Sequence, residues 1–233
     1  MIKIENTEVF GWEAAIRGMR NPMNSWDKSD TGWTDDYDNE IDKYIDVNYI
    51  YTADDCMCTV KVIGDNDLSL MKKLVAAGSD HRKFMRFINV TLDVIAPLYW
   101  WKEYDTYKVG TVANSCSTMH KIHEKPFAVE DFSTEHLMSY DDGAWEAVPY
   151  KVFLQTVYCL NWYRELFVKT KDKQYWWQMI QLLPSSYNQR RTLQLNYEVL
   201  RNIYHARKNH KLDEWRQFCE WIESLPYSEL ITG

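Results

Sequence analysis

Residues Ala96–His120 read APLYWWKEYDTYKVGTVANSCSTMH and change character part-way along. The first part is an aromatic block with Pro97 near its start, a favoured place for proline in a helix. The second part offers hydrogen-bonding side chains and a cation: Lys108, Thr111, Asn114, Ser115, Ser117, Thr118 and His120. Hydroxyl groups, backbone N–H groups and a lysine suit an anion such as phosphate. The stretch therefore predicts a helix followed by a loop, which either wraps an anionic ligand or is a polar surface loop.

Length and composition favour a single domain over residues 1–233. A chain of 233 residues fits one large domain or two small ones, and its 8 Gly and 6 Pro form no linker-like stretch. Apolar residues make up 45 %, which is enough for a full core. The 11 Trp and 16 Tyr residues need partners for their polar edges, so they indicate either ligand walls and interfaces or an aromatic core.

Charge and cysteine content narrow the class of protein further. The net charge of −7 argues against general nucleic-acid binding. Much of the acid lies in Asp35–Asp46 (DDYDNEIDKYID), which indicates a solvated loop or helix face, with metal binding as the alternative. The five cysteines are odd in number and irregularly spaced, so we expect free thiols in a reducing cytoplasm. Since no run of about 18 apolar residues occurs, we expect no membrane span.

Hydrophobic periodicity predicts a chain that begins with strands and ends in helices. The predicted strands are 2–10, 47–51, 57–63, 87–95 and 190–195. The predicted helices begin near residues 11, 65, 97, 149, 172, 197 and 212, and Gly78 is expected to end the second of them. This order is typical of an α+β fold with a helical C-terminal half. The helix from Pro149 is apolar on more than one face, which indicates burial on two sides and a subunit contact.

The helix that follows Asn196 carries the most informative side chains. Val199, Ile203 and Arg207 recur at i, i+4 and i+8, so Arg207 continues the apolar stripe at its C-terminal end. A guanidinium on a buried face needs an anionic partner such as a carboxylate or phosphate. The alternative is that Arg207 only caps the negative end of the helix dipole. Asn196 stands where a helix N-cap is expected.

Few other motifs point to a specific chemistry. His120-x-x-His123 has the spacing of a metal site, but the sequence shows no convergent third ligand, so we expect no metal. His81 and His136 stand alone and are interpreted as structural. The chain contains no phosphate-binding P-loop, no dinucleotide-binding glycine pattern and no G-x-S-x-G nucleophile motif.

Two blocks of the sequence resemble the flavin-dependent thymidylate synthases, the ThyX family. The block NYEVLRNIYHARKNHKLDEWRQF, Asn196–Phe218, is similar to that family's N-x-R-x-L-x-N-F-x-x-L-R segment and the helix after it. Four residues fall on matching positions, namely Asn196, Leu200, Asn202 and Arg207, while Glu198 stands at the family's first arginine. LMKKLVAAG followed by FINVTLDVIAPLYWWKEY resembles the helix, strand and Ala-Pro helix that lead into the family signature R-H-R-x-x-S-x-N-E-x-S-x-R-Y. The resemblance covers most of residues 66–220.

The signature itself departs from the family pattern. Thr106-Tyr107-Lys108 replaces R-H-R, and Thr111 stands at the first serine. With one residue inserted, the remaining positions are taken by Asn114, Ser115, Ser117, Met119 and His120, of which Ser115 replaces the family's glutamate. Glu103 stands where the family has a glutamine that contacts pyrimidine.

The resemblance implies a ThyX-like α+β fold with a mixed or antiparallel sheet, and a homotetramer that binds FAD and dUMP where subunits meet. NADPH and methylenetetrahydrofolate would be co-substrates, and no protein nucleophile would be needed. Arg207 would polarise the uracil as the catalytic residue. Asn196, Asn202 and Lys108 would contact the cofactor. The pyrimidine nucleotide would be bound by Glu103, Asn114, Ser115, Ser117 and Arg207.

Two functions follow as hypotheses. The first is a divergent flavin-dependent thymidylate synthase-like enzyme that methylates dUMP or acts on a related pyrimidine nucleotide. The second is a catalytically inactive protein of the same fold that binds a nucleotide or a protein partner, because the charged residues of R-H-R are mostly lost. Other arginines are candidates to replace that charge: Arg17, Arg20, Arg82, Arg86 and Arg190.

Overall fold

The computed structural model describes residues 1–35, 44–51, 56–140 and 147–233. Seven strands occur in these ranges: β1 (Lys3–Phe10), β2 (Gly32–Thr34), β3 (Tyr44–Tyr51), β4 (Cys56–Val62), β5 (Asn89–Pro97), β6 (Val112–Ser115) and β7 (Asn188–Asn196). The α-helices there are α1 (Trp12–Arg20), α2 (Asp65–Ala76), α3 (Leu98–Tyr104), α4 (Pro149–Thr170), α5 (Lys173–Leu182), α6 (Tyr197–Arg207), α7 (Asp213–Glu223) and α8 (Glu229–Thr232). Most of the predicted acidic stretch, residues 36–43, lies outside the described ranges.

The strands form two antiparallel sheets, which confirms the α+β prediction. The larger sheet has four strands in the order β1-β5-β7-β6. The smaller has the order β2-β4-β3, in which Trp33 pairs with Lys61 and Tyr49 with Cys58. Five helices follow the central polar segment, so the predicted helical C-terminal half is also confirmed.

The chain divides into two compact units. Unit 1 comprises Met1–Lys3, Asp93–Thr106 and Ala113–Thr192. Its core is an aromatic and aliphatic cluster under α4 and α5: Ile122, Phe127, Phe132, Phe153, Val157, Leu160 and Met179. Helix α3 is fixed to β7 because Trp101 donates its indole N–H to the carbonyl of Gln189 at 3.0 Å.

Helix α4 leaves apolar side chains on its outer face. Leu160 is fully buried, whereas Tyr158 is 67 % and Trp162 52 % exposed. Because these two aromatics are four residues apart, they lie on the same face of the helix. The sequence-based interpretation of α4 as a subunit contact stays a prediction.

Unit 2 comprises Ile4–Leu92, Tyr107–Val112 and Leu193–Gly233. Helices α6, α7 and α8 supply much of its core, with Trp215, Phe218 and Ile222 fully buried. A buried ion pair joins α1 to α2, because Arg20 donates its Nε–H to Asp67 at 2.7 Å and both side chains are at most 4 % exposed. The buried apolar side chains and the hydrogen-bonded Arg20–Asp67 pair therefore both stabilise this unit.

Three details differ from the sequence-based predictions. Strand β5 begins at Asn89 because a 3₁₀ helix, Arg82–Arg86, precedes it. Pro97 is the last residue of β5 and the N-cap residue of α3. The prediction that it lies in the first turn of the helix is therefore wrong. Part of the predicted polar loop forms β6 instead. All four residues of this strand are exposed, so the sequence lacks the alternation of apolar and polar residues that predicts a strand. By contrast, Gly78 follows α2 with φ +106°, as expected for a C′ glycine.

Candidate functional site

Helix α6 begins and ends at two of the predicted site residues. Asn196 is its N-cap, and its side-chain oxygen accepts the N–H of Val199 at 3.1 Å, which confirms the predicted cap. Leu200 and Ile203 are fully buried and hold the helix on the core. The helix thereby fixes Arg207 in its last turn, half-buried and close to the buried face.

Two aromatic side chains enclose the guanidinium of Arg207. Its Nε–H donates to the phenol oxygen of Tyr107 at 2.9 Å. Its guanidinium carbon lies 4.7 Å from the ring centroid of Trp215 and 5.6 Å from that of Tyr107. Trp215 is fully buried, so it is a rigid wall for the cation. Such cation–π contacts and a hydrogen bond fix the orientation of a guanidinium.

The segment Tyr107–Val112 packs along α6. The hydroxyl of Thr111 donates to the carbonyl of Tyr107, which closes a tight turn. At the turn, Gly110 has φ +75°, and a Cβ there would lie 3.0 Å from Val199 Cγ2 and 3.4 Å from Asn196 Nδ2. The positive φ therefore favours glycine, and a larger residue would also have to displace the side chain of Val199 slightly. The turn presents Lys108 to solvent.

Glu198, which stands where the resembling family has an arginine, forms an ion pair with an arginine of this chain. Glu198 is buried, and both of its carboxylate oxygens accept the Nε–H of Arg82, at 3.0 and 3.2 Å. Arg201, one turn further along α6, donates to the carbonyl of Ile231 at 2.8 Å. Asn202 is exposed. Arg82 is therefore a structural residue here, and its charge is balanced by Glu198.

The remaining predicted site residues belong to unit 1. Ser117 begins a turn, because its hydroxyl oxygen accepts the N–H of His120 at 2.9 Å. Asn114 and Ser115 are exposed neighbours on β6, so their side chains point to opposite faces of the strand. One bound ligand on a single face of β6 therefore cannot contact both side chains. Glu103 lies half-buried near the end of α3.

Ser117 lines a cleft of about 620 Å³ within unit 1, a volume typical of small-molecule sites. Its cations face carboxylates: Lys125 lies 2.9 Å from Asp131, and Lys121 pairs with Glu124. The hydrogen bond to Asp131 raises the pKa of Lys125 above its usual range, so this lysine is firmly charged. The cleft is therefore polar but nearly balanced in charge.

The other four candidate arginines differ in burial and in their pairing with carboxylates. Arg20 is buried against Asp67, and Arg190 lies 2.7 Å from Asp93. Arg17 is 69 % exposed and 4.0 Å from Glu13, and Arg86 is exposed. Three of the five candidates, Arg20, Arg82 and Arg190, are thus neutralised by carboxylates.

The histidine pair predicted as a weak metal motif shows no metal-site geometry. His123 packs edge-on against Phe167 at a centroid distance of 4.9 Å. Within residues 1–35, 44–51, 56–140 and 147–233, no group of three His, Cys, Asp or Glu side chains is arranged to hold a metal ion. No helix in those same ranges combines the length and the apolar character that crossing a bilayer requires.

Comparison with solved structures decides the fold. The chain is similar to two structures of the flavin-dependent thymidylate synthase ThyX from Helicobacter pylori, both in complex with FAD and dUMP, with a TM-score of 0.62 in each case. The matches cover 100 % and 98 % of this chain and 97 % of each of those chains, at 13 % and 14 % sequence identity. The chain has a ThyX-like fold. No protein-family model and no curated protein matches the sequence.

Within this ThyX-like fold, the predicted site residues fall into two groups. Asn196, Asn202, Arg207 and Lys108 belong to unit 2, where Lys108 and Asn196 flank the turn at Gly110. The second group belongs to unit 1: Glu103, Asn114, Ser115 and Ser117. Sequence reasoning missed Trp215 and Tyr107 as the residues that hold Arg207. Trp215 could have been considered because it lies in the matched C-terminal block. Tyr107 could have been considered because it stands at the histidine of the R-H-R motif.

Proposed function

We propose that this chain is a divergent flavin-dependent thymidylate synthase-like enzyme, which methylates dUMP or acts on a related pyrimidine nucleotide. The observation that carries the proposal is the enclosed Arg207, which stands at the position of the uracil-polarising arginine in the resembling block. The ThyX-like fold over the whole chain supports it. As part of the same proposal, the chain is one ThyX-like domain that acts in the cytoplasm.

The residues of unit 2 fit a flavin in the chemistry of their donors. Asn196 and Asn202 are amides suited to the polar edge of a flavin ring, and Lys108 is an exposed cation suited to a phosphate. The close packing of Gly110 keeps Lys108 near the start of α6. When bound, FAD would supply hydride chemistry, with NADPH as the source of electrons and methylenetetrahydrofolate as the one-carbon donor.

Arg207 would act by electrostatic stabilisation. Its guanidinium would donate to a uracil carbonyl and stabilise the negative charge that develops on the ring as it reacts. The buried face of Trp215 lowers the local dielectric and strengthens this interaction. Because the side chain is oriented before the ligand arrives, little reorganisation is needed during the reaction.

The substrate-binding roles of the unit 1 residues are proposed by resemblance. Ser117 would donate its hydroxyl hydrogen to a phosphate oxygen, since its lone pairs already accept backbone N–H groups. Asn114 or Ser115 would assist from one face of β6, and Glu103 would read the pyrimidine edge. Ser117→Ala is expected to weaken dUMP binding without unfolding the protein, because the side chain is exposed.

The first experiment is the absorbance spectrum of the purified protein, followed by rescue of a thymidine-requiring strain. Bound flavin gives a band in the blue, and the intact gene restores growth without thymidine. Arg207→Ala abolishes the rescue, whereas the matched control Arg17→Ala, an exposed arginine, does not. A colourless protein that takes up no added FAD would contradict the flavin proposal, and rescue by Arg207→Ala would remove Arg207 from the mechanism.

One observation favours the second candidate, a catalytically inactive ThyX-fold protein that binds a nucleotide or a protein partner. Arg20, Arg82 and Arg190 are paired with carboxylates, so they do not restore the positive charge lost from R-H-R. Calorimetric titration with dUMP separates the two forms of this candidate. Binding without rescue supports a nucleotide-binding protein, and no binding supports a protein-interaction role.

The assembly proposed by resemblance is a homotetramer. The exposed aromatics of α4, Tyr158 and Trp162, are suited to such a contact because Tyr and Trp are enriched at interfaces. Light scattering after size exclusion measures the mass directly. Trp162→Glu is expected to shift a tetramer toward smaller species, and a monomeric wild type would contradict the assignment.

A further inference from the structure

We infer that Tyr107 is a positioning residue: its hydroxyl fixes the rotation of the Arg207 guanidinium and presents that group ready-made to the pyrimidine. This inference rests on the proposed function for the role of Arg207 toward the ligand. It adds a residue that resemblance did not assign, since Tyr107 replaces the histidine of R-H-R and contacts Arg207 instead of supplying a charge.

The geometry assigns separate tasks to the two aromatic residues. Trp215, fully buried on α7, offers a flat wall 4.7 Å from the guanidinium carbon. A ring face limits how far the guanidinium moves but allows it to turn in its own plane. The bond of 2.9 Å from Arg207 Nε to the phenol oxygen of Tyr107 prevents that turning. The two contacts together define one orientation of a planar donor.

The chemistry of the acceptor matters as much as its position. A carboxylate at Nε would orient the guanidinium but would also offset its charge. A phenol hydroxyl orients it through a hydrogen bond to Nε and brings no negative charge of its own. A guanidinium oriented by a neutral acceptor suits a neutral carbonyl that gains negative charge during reaction, as in the proposed activation of uracil.

Tyr107 is itself held in place by the turn that follows it. Its carbonyl accepts the hydroxyl of Thr111, and Gly110 packs against Val199 and Asn196 at the other end of α6. Its ring also lies edge-on to Trp215, at a centroid distance of 6.0 Å. The orienting hydroxyl is therefore part of a preformed arrangement and does not depend on a ligand.

Tyr107→Phe removes the hydroxyl and keeps the ring, so it separates positioning from packing. The matched control is Tyr140→Phe, which removes the hydroxyl of an exposed tyrosine. The first readout is the ¹⁵N–¹H signal of Arg207 Nε without any ligand, identified by its loss in Arg207→Lys. We expect a slowly exchanging signal in the wild type and in the control, and a broadened or absent one in Tyr107→Phe. An unchanged signal in Tyr107→Phe would overturn the inference.

The second readout is dUMP affinity by calorimetry. Without the hydroxyl, ligand binding must also order the Arg207 side chain, so we expect Tyr107→Phe to weaken dUMP binding by about two- to tenfold. In an Arg207→Lys background, which has no Nε–H, the same substitution should cost nothing further. An equal loss in both backgrounds would overturn the inference.

The two readouts keep this inference apart from the proposed function. A wild type that binds no dUMP contradicts the proposed function, while the ligand-free spectrum still decides whether Tyr107 orients Arg207. A wild type that binds dUMP, with an Arg207 signal indifferent to Tyr107→Phe, leaves the proposed function standing and removes the positioning role.

Discussion

Asp67→Asn is expected to destabilise unit 2 severely while preserving the shape of the side chain. The carboxylate of Asp67 is fully buried and accepts five hydrogen bonds. One comes from Arg20 Nε at 2.7 Å, and the hydroxyls of Ser29 and Thr31 donate at 2.6 and 2.7 Å. The amide of asparagine has one oxygen fewer to accept these donors and leaves the Arg20 charge uncompensated.

The magnitude follows from the burial of the pair. Removing one partner of a buried ion pair costs about 3–5 kcal/mol, because the other charge remains in a low-dielectric site. In a protein of this size, each kcal/mol lowers the melting temperature by about 2–4 °C, so the loss is roughly 6–20 °C. Thermal unfolding followed by circular dichroism measures it.

The pH dependence of stability provides a second, independent signature. Burial alone would raise the pKa of Asp67, but hydrogen bonds from Ser29, Thr31 and Arg20 outweigh it and hold the pKa below its usual range. Since the folded state binds this proton less readily than the unfolded state, the stabilisation is complete above the ordinary pKa near 3.9 and is lost as pH falls through the folded pKa. Asp67→Asn should therefore remove part of the acid sensitivity below about pH 4.

The matched control is Glu124→Gln, which removes the charge from the exposed pair with Lys121. An exposed ion pair contributes little, so we expect no measurable change in its melting temperature. If Asp67→Asn also melted like the wild type, the buried network would not stabilise unit 2 and the reasoning from burial would be refuted.

Three further predictions concern the turn, the cap and the thiols. Gly110→Ala should destabilise the protein by about 1–2 kcal/mol in urea unfolding, because φ is +75° and Val199 lies 3.0 Å from the new Cβ; an unchanged midpoint would contradict this. Asn196→Ala should cost about 1 kcal/mol through loss of the α6 cap, whereas Asn196→Ser should recover most of it. Iodoacetamide should label exposed Cys116 well before Cys219, because burial raises the pKa of Cys219 to about 11, and mass spectrometry of the peptides would show any reversal.

The sequence predicts those features of the fold that are encoded locally. The cap at Asn196, the αL glycine at Gly78 and the N-cap at Asp172, which accepts the N–H of Gln174, all depend on residues within a few positions of one another. Strand β6 leaves no such local signal, since its side chains are exposed on both faces and its pairing with β7 is distant in sequence.

The candidate site was predictable in its residue types but not in its partners. Arg207 could be recognised from its helical stripe, yet Tyr107, the acceptor for its Nε–H, is 100 residues away. Arg82 and Glu198 are 116 residues apart, so the sequence offers no reason to join them. Each of these pairings depends on tertiary packing, which brings distant segments together only after the core has formed.

The Arg82–Glu198 pair has a consequence for how this sequence can change. A single substitution of Glu198 to the arginine of the resembling block would place a second guanidinium beside the partly buried Arg82. Two like charges in contact would destabilise the fold, whereas the present pair is neutral. The reverse exchange, Arg82→Glu with Glu198→Arg, keeps one charge of each sign in the pocket. Positions 82 and 198 are thus epistatically linked, and a change of Glu198 to arginine passes through an unstable intermediate unless both positions change together.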